Sequence, residues 1–417
     1  MTVLIAGGGI AGLTLGLTLN QIGVPFQIFE ATRDPRPLGV GINLQPPAIR
    51  ELYALGLTPM LDQIGVQTQD YGFYTKTGVE IWTEPRGRHA GYNWPQYSVH
   101  RGQLQMALLA VVQERCGADC VTFGARALGF EHSGDQAVLR YAQDGETKEA
   151  IGQMVVGADG IHSAIRAQMY PSEGAPVWGG AIMWRGTTLA RPFLGGRSMI
   201  LAGHDTQRFV SYPITAPDPD TGLALINWIA EKTVDPNTDV AKEDWNRRVD
   251  VSRFNRDFAD WDFGWINVPE LIAAAKAVFE YPMVDREPVD QWSDGSVTLI
   301  GDAAHATYPV GSSGASQAIL DTRILAAEMR IHGPSADAAL AYEARVRPLA
   351  NRVTLANRGN GGPDAIMQMA EDRCAGDFST LDKALPLAER AAHAAAFKKL
   401  AGLSVEATND APELLPL

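Results

Sequence analysis

The sequence predicts a mixed α/β fold: a doubly wound, Rossmann-like domain, an antiparallel-sheet domain beside it, and a helical C-terminal segment. Three observations predict it. The chain opens with an apolar run, a glycine-rich turn, a helix-period segment and a second apolar run, the order of a βαβ unit. From Gly179 to about Trp228 it changes to short apolar runs broken by turn residues, the pattern of hairpin-connected strands. From Ala336 onward helix-period segments dominate.

Val3-Leu4-Ile5-Ala6 is the first strand, and Gly7-Gly8-Gly9-Ile10-Ala11-Gly12 follows it as a Gly-x-Gly-x-x-Gly fingerprint. Gly7 permits the tight turn, Gly9 lets backbone approach a pyrophosphate, and Gly12 lets the helix pack on the strand. The pyrophosphate then meets the helix N-terminus. Leu13 to about Gln21 is the helix, Pro25 to Phe29 the second strand, and Glu30 ends that strand where a carboxylate accepts from a ribose hydroxyl. Gly7, Gly9, Ala11, Gly12 and Glu30 are therefore candidate dinucleotide contacts.

Arg33-Asp34-Pro35-Arg36-Pro37 is a polar turn segment, followed by Leu38 to Leu44 with glycines at 39 and 41. Alternate glycines let backbone approach a flat ligand, or mark a bulged strand. Pro47 to Leu55 reads as a helix closed by Gly56. Tyr71 to Tyr97 alternates with aromatics, as strands of a second sheet do. Arg101 precedes an amphipathic helix, Gln103 to Glu114, where its guanidinium could meet a phosphate or serve as a surface ion-pair partner. Val121 to Phe123, Ala127 to His132, Ala137 to Tyr141 and Ile151 to Val156 read as strands, the last running into Gly157-Ala158-Asp159-Gly160. Ser163 and Arg166, three apart, are expected to share a helix face.

The strand-rich region comprises Ile182 to Thr188, Ser198 to Ala202, Arg208 to Pro213 and Leu223 to Ala230. Asp244 to Pro269 is predicted to be helical, with its aromatics mainly in the core. Val297 to Ile300 is a buried strand leading into Gly301-Asp302, which puts a carboxylate at a strand's C-terminal end, the ligand edge of such sheets. His305 is read as a packing or capping residue before an acid-base group. Pro309-Val310-Gly311-Ser312-Ser313-Gly314 enters a helix from Ala315 to Met329, whose N-terminus offers free amides. Ala336 to Ala356 and Pro386 to Lys398 are further helices, a breaker lies at Gly359 to Gly362, and Val405 to Leu417 reads as a weakly ordered tail.

With 417 residues, 46% hydrophobic and 20% charged, the chain has the composition of a soluble multidomain protein. A net charge of -13 argues against nucleic acid and anionic membrane surfaces, and points to small-molecule partners. Three cysteines make no disulfide framework, which fits a cytoplasmic setting. Cys116 and Cys120 lack companion ligands, so no metal site is expected. No apolar run is long enough to span a membrane.

The glycine fingerprint with Glu30, the Asp159-Gly160 segment and the Gly301-Asp302 segment occur in an order that resembles the single-component FAD-dependent aromatic hydroxylases, the family of 4-hydroxybenzoate and salicylate hydroxylases. The likeness covers about residues 1 to 355. Within it, Arg36 to Asn43, Pro95 to Ser98, His100-Arg101-Gly102, Met183-Trp184-Arg185-Gly186, Tyr281 to Arg286 and Gly314 to Asp321 resemble the phenazine-carboxylate monooxygenases. The resemblance implies an FAD domain at 1–71, 99–178 and 281–335, a substrate domain at 72–98 and 179–280, and a helical segment at 336–417. It implies bound FAD, with NADH or NADPH as transient electron donor and O2 as co-substrate. A flavin C4a-hydroperoxide would hydroxylate an aromatic or heteroaromatic ring, carboxylated or phenolic, with or without loss of a carboxylate.

By the same resemblance, Gly7, Gly9 and Gly12 hold the pyrophosphate and Glu30 the adenosine ribose. Arg101 reaches the phosphate or ribityl chain, Gly301-Asp302 the ribityl hydroxyls, and Asp159 serves both FAD and the nicotinamide. Gly41, Ile42 and Asn43 face the isoalloxazine opposite Pro309, Gly311, Ser312, Ser313 and Gly314. Trp184, Arg185, Tyr212 and Trp228, with Pro309, Trp94 and Tyr97, are the candidates to line the substrate pocket. Arg185 either pairs a substrate carboxylate or forms a structural ion pair. Ser312-Ser313-Gly314 departs from the family's usual loop. Phe263 to Pro269 echoes the flavin halogenases, lacking their second Trp, and a flavin-binding protein without oxygenase activity is a further alternative. No catalytic acid or base stands out. A monomer or homodimer is expected.

Overall fold

The structure is a computed structural model that describes residues 2–235, 247–358, 362, 364–400, 402 and 404–416. Its first sheet has six strands in the order Ser293–Asp294, Val297–Leu299, Met154–Gly157, Val3–Ala6, Phe26–Glu30 and Val121–Phe123. All neighbours run parallel except the short hairpin at Ser293–Asp294. Strands buried on both faces need continuous apolar runs, and Val3–Ala6 and Met154–Gly157 are buried at every position. Helix Ile10–Gln21 packs on this sheet, and helices Arg101–Cys116 and Gly314–His332 pack against that helix. An ion pair inside the helical layer, Arg323 Nε to Glu51 Oε2 at 3.0 Å, ties Gly314–His332 to helix Pro46–Ala54.

The second large sheet has eight strands, including Val177–Ala190, Ser198–His204, Gln207–Pro213, Ala224–Thr233 and Val278–Asp285. It is antiparallel apart from one pairing, Ser198–His204 beside Asp70–Tyr74. Between the two large sheets lies a small one, with Gln96–His100 paired to Gly41–Leu44 and to Gly65–Thr68. A three-stranded meander, Arg126–Ser133, Gln136–Gln143 and Glu146–Gly152, flanks the first sheet.

Two expectations are corrected. The helix over Asp244 to Pro269 does not form; Asp244, Trp245 and Asn246 lie outside the described residues. The rest is the short strand Arg248–Val249, two single turns of 3-10 helix, and helix Val268–Ala273. Asp250 accepts from Ser252 N and Asp262 from Gly264 N, so short polar side chains compete with helix hydrogen bonds. Gly264 has a φ of +77°, which ends any helical run there. The C-terminal tail, expected to be weakly ordered, is docked. Val405–Asn409 is helical, Leu415 is buried in the main core, and Arg330 Nη1 donates to Pro416 O at 2.7 Å. The breaker expected at Gly359 to Gly362 lies almost wholly outside the described residues, and the helix before it runs Ala336–Asn357.

Candidate active site

The sheet order explains why three motifs far apart in the chain act together. Val3–Ala6, Met154–Gly157 and Val297–Leu299 are adjacent parallel strands, so Gly7, Ala158-Asp159 and Gly301-Asp302 leave the same edge side by side. Contact there is close enough to exclude side chains. A Cβ on Gly7 would stand 2.4 Å from Ala158 O, and one on Gly12 would stand 2.0 Å from Gly7 O. A Cβ on Gly9 would meet nothing within 4 Å, which leaves a cradle open above the helix N-terminus. Glu30 closes its far side: Oε2 accepts from Gly8 N and Oε1 from Thr32 N, each at 2.7 Å. A dinucleotide pyrophosphate fits this arrangement of free amides, dipole end and missing side chains.

The Asp159-Gly160 loop is anchored from below. Asp159 Oδ2 accepts from Ala164 N at 2.8 Å, while its Oδ1 is buried with no hydrogen-bond partner among the described residues. Burial pushes the Asp159 carboxyl above the usual range, against the pull of Ser163 and the backbone amides. Ser163 is the N-cap of helix Ala164–Met169, accepting from Arg166 N at 2.9 Å, so it does not share a helix face with Arg166 as expected. Arg166 instead runs beneath Gly301-Asp302, donating to Ala303 O and Ala304 O at 3.1 and 2.6 Å. Asp321 holds the same loop from its other side. Its Oδ2 accepts from Gly301 N at 2.8 Å and meets His305 Nε2 at 2.6 Å. Burial disfavours the imidazolium, but Asp321 outweighs it and the His305 pKa lies above its usual value. Asp302 itself stays exposed.

Arg101 is exposed at the first turn of helix Arg101–Cys116, next to Gly39, and its amide donates to Val40 O at 2.9 Å. Gln105, one turn on, donates to Gly8 O at 3.0 Å; a helical i, i+4 spacing from Arg101 was its only sequence signal. Opposite the strand Gly41–Leu44, Pro309 to Gly314 makes a tight loop. Gly311 and Ser312 both take positive φ, +74° and +53°, the second uncommon for a residue with a side chain. Ser313 N-caps helix Gly314–His332 without a side-chain bond, so its first-turn amides stay free, and a pocket lined by Gln45, Thr307, Ser313, Gly314 and Ser316 opens there.

The eight-stranded sheet presents one face to Gly41–Leu44. Gly41 O accepts from Arg185 Nη2 at 3.0 Å, and Gly41 N donates to Asn227 Oδ1 at 2.7 Å. Tyr212 lies against the same glycine. Burial lowers the Arg185 pKa, with Tyr212 and Tyr281 opposing it and Arg101 adding to it, and no carboxylate pairs with it among the described residues. Alternation along a strand sends its neighbours the other way. Trp184 stacks on Phe254 at 4.5 Å and donates to Glu280 at 2.8 Å, and Trp228 donates to Thr188 Oγ1 at 3.0 Å. Both indoles are buried behind the sheet with their N–H groups satisfied, which corrects their expected place in the pocket. Tyr97 sits in the main core beside Asp62 and Tyr53, and Trp94 lies under Arg50, so neither lines it. Trp265, in the halogenase-like stretch, packs against Tyr74 and Phe193 in the aromatic cluster that holds Trp184. The facing surface is completed by Ala181, Met183, Tyr281, Met283 and Tyr308, an apolar patch the sequence did not single out.

Residues 1–356 match the family profile described as FAD binding domain. The chain belongs to the FAD-dependent aromatic hydroxylases. It is 44% identical over 363 residues to phenazine 1,6-dicarboxylic acid hydroxylase PhzS of Lysobacter antibioticus, covering 85% of this chain and 89% of that one. It is 32% identical over 336 residues to 3-amino-4-hydroxybenzoate 2-monooxygenase PtnB3 of Streptomyces platensis, covering 78% of each chain. Klebsiella pneumoniae HpxO complexed with FAD and uric acid shares the fold, with a TM-score of 0.74, 21% identity, and 98% and 96% of the two chains covered. This hydroxylase is therefore a flavoprotein, and the open cradle at Gly9 fits its FAD. Among the described residues no group of metal-ligating side chains forms, and no helix is long and apolar enough to cross a membrane.

Proposed function

We propose that this hydroxylase adds one oxygen atom to a planar carboxylated aromatic or heteroaromatic, of phenazine type, using NADH or NADPH and O2. One observation carries the substrate class. Arg185 is a guanidinium set among aromatic and apolar side chains with no anionic partner among the described residues, on the sheet face turned to the flavin-facing strand. Such a cation is costly to hold unpaired, and a ligand carboxylate compensates it bidentately. The relatives named for phenazine 1,6-dicarboxylic acid and for an aminohydroxybenzoate are consistent with that class.

When bound, FAD would supply the redox chemistry, by which two electrons from NADH or NADPH and O2 would leave one oxygen on the ring and the other in water. The chain's own residues position and protect. Gly7, Gly9 and Gly12 receive the pyrophosphate, Glu30 the ribose, Asp302 the ribityl hydroxyls and Arg101 the phosphate side. Gly41 to Asn43 and Pro309 to Gly314 flank the ring system, and the free amides of Gly314, Ala315 and Ser316 stabilise negative charge placed against them. Met183, Tyr281 and Tyr308 keep water from the reacting region. Residues 1–71, 99–178 and 286–335 serve the cofactor in this reading, and 72–98 with 179–285 the substrate; the expected boundary at 281 moves to 286 because the strand Val278–Asp285 belongs to the substrate-side sheet.

The test is NAD(P)H oxidation by the FAD-loaded protein with phenazine and benzoate carboxylates and their uncharged amides. Oxidation accelerated by the acids, with a product one oxygen heavier, supports the reading; a product also lighter by carbon dioxide identifies decarboxylative hydroxylation. Flavin bands with no acceleration by any ring would leave a flavin-binding protein without oxygenase activity.

A further inference from the structure

Both polar backbone groups of Gly41 are held by side chains of the substrate-side sheet. Its N–H goes to Asn227, its carbonyl to Arg185, and a Cβ would stand 2.7 to 2.8 Å from Asn227 and Tyr212. Three strands thus converge on one residue, and that residue begins the strand Gly41–Leu44. Asn227 is fully buried, and its Nδ2 donates to nothing among the described residues; Arg185 Nε is likewise without an acceptor. A buried donor left idle costs about 1–3 kcal/mol, so neither side chain is placed for stability alone.

We infer that Asn227 is a positioning residue: through Gly41 it sets the distance of the strand Gly41–Leu44 from the FAD ring. Arg185 grips the carbonyl of the same residue, in the next peptide plane, so a carboxylate that draws Arg185 away changes how Gly41 is held. Substrate occupancy is thereby felt at the flavin through one glycine. This second step rests on the proposed role of Arg185, whereas the positioning step does not.

The experiment reads the flavin rather than turnover. Asn227→Ala removes the acceptor of the Gly41 amide, and Asn227→Leu removes it while keeping the side-chain volume. In the absence of any aromatic acid, each is expected to weaken FAD binding about fivefold to tenfold, the equivalent of one lost buried hydrogen bond. The visible absorption and circular dichroism bands of the bound flavin shift in both. Wild-type FAD affinity and spectrum in either variant would overturn the inference. If Asn227→Ala fails to fold, Asn227→Leu decides alone by the same readout. Titration with phenazine 1,6-dicarboxylic acid is then expected to give a flavin difference spectrum in the wild type that is diminished in Asn227→Ala at equal ligand saturation. Failure of the acid to bind even the wild type would count against the proposed substrate and leave the positioning result standing.

Discussion

Arg185→Met separates function from stability more sharply than any other single change here. In the free protein Arg185 gains one hydrogen bond, to Gly41 O, worth about 1 kcal/mol net. Against it stands the desolvation of a cation with no carboxylate partner, several kcal/mol in a site of this kind. Methionine keeps much of the volume and removes the charge, so folding stability should stay level or rise. Binding of an aromatic acid should move the other way. Removing one partner of a buried ion pair costs about 3–5 kcal/mol. Since about 1.4 kcal/mol is a factor of ten, kcat/KM for the acid should fall at least a hundredfold, and for an uncharged amide analogue by far less. The assay pairs thermal unfolding of the FAD-loaded variant with kinetics on the acid and the amide. A variant that melts earlier and still prefers the acid would refute the reasoning, because Arg185 would then be a structural residue.

Three further outcomes follow from the same geometry. Gly9→Ala should fold with a normal melting temperature and lose FAD affinity, because its new methyl enters empty cradle space; Gly12→Ala should fail to fold, since its methyl would stand 2.0 Å from Gly7 O. Far-ultraviolet circular dichroism with FAD titration checks both. The His305 pKa is raised in the folded protein, so the folded state holds that proton more tightly than the unfolded one. That stabilisation is complete below pH 6.5 and is lost as pH rises through the folded value; Asp321→Asn should abolish this slope in stability measured against pH. Glu231 is pushed up to about 7 by burial, with Arg208 opposing and Asp364 and Asp205 adding to the rise. It therefore favours folding below pH 4.5 and ceases to do so as pH rises to about 7, and Glu231→Gln should flatten denaturation midpoints across that window.

The cofactor side was legible because its chemistry is written in backbone needs. Gly12 is a glycine because Gly7 O, five residues back, leaves no room for a Cβ, and Gly9 keeps the cradle open, so a strand, a turn and a helix in register reveal them; the contact that demands Gly7, with Ala158 O, is not visible locally. Even so, no spacing rule says that Asp159 and Asp302 stand beside Gly7. That follows from strand order, with Met154–Gly157 and Val297–Leu299 laid successively against Val3–Ala6. Asp321 and Arg166 were illegible for a related reason: they hold the Gly301 loop from helices reached only through that packing.

The substrate side was half legible, with Arg185 and Tyr212 where expected and Trp184 and Trp228 not, and the difference is one of parity. Met183-Trp184-Arg185-Gly186 is a run in which every second residue faces the strand Gly41–Leu44, and composition favours the tryptophan as a ring-stacking partner. Which parity faces inward is fixed by register with the neighbouring strand, where Gly186 stands opposite Trp228 and Thr187 opposite Asn227. Gly186 leaves room for the Trp228 indole, since a Cβ there would lie 2.4 Å from its ring. That demand sends Trp184 and Trp228 to the aromatic layer behind the sheet and turns Arg185 and Asn227 toward Gly41. A slip of one residue would reverse every assignment. The small residue at Gly186 was the available signal: a glycine directly after Met183-Trp184-Arg185 marks a place where a bulky neighbour, here Trp228, can lie on its face of the sheet.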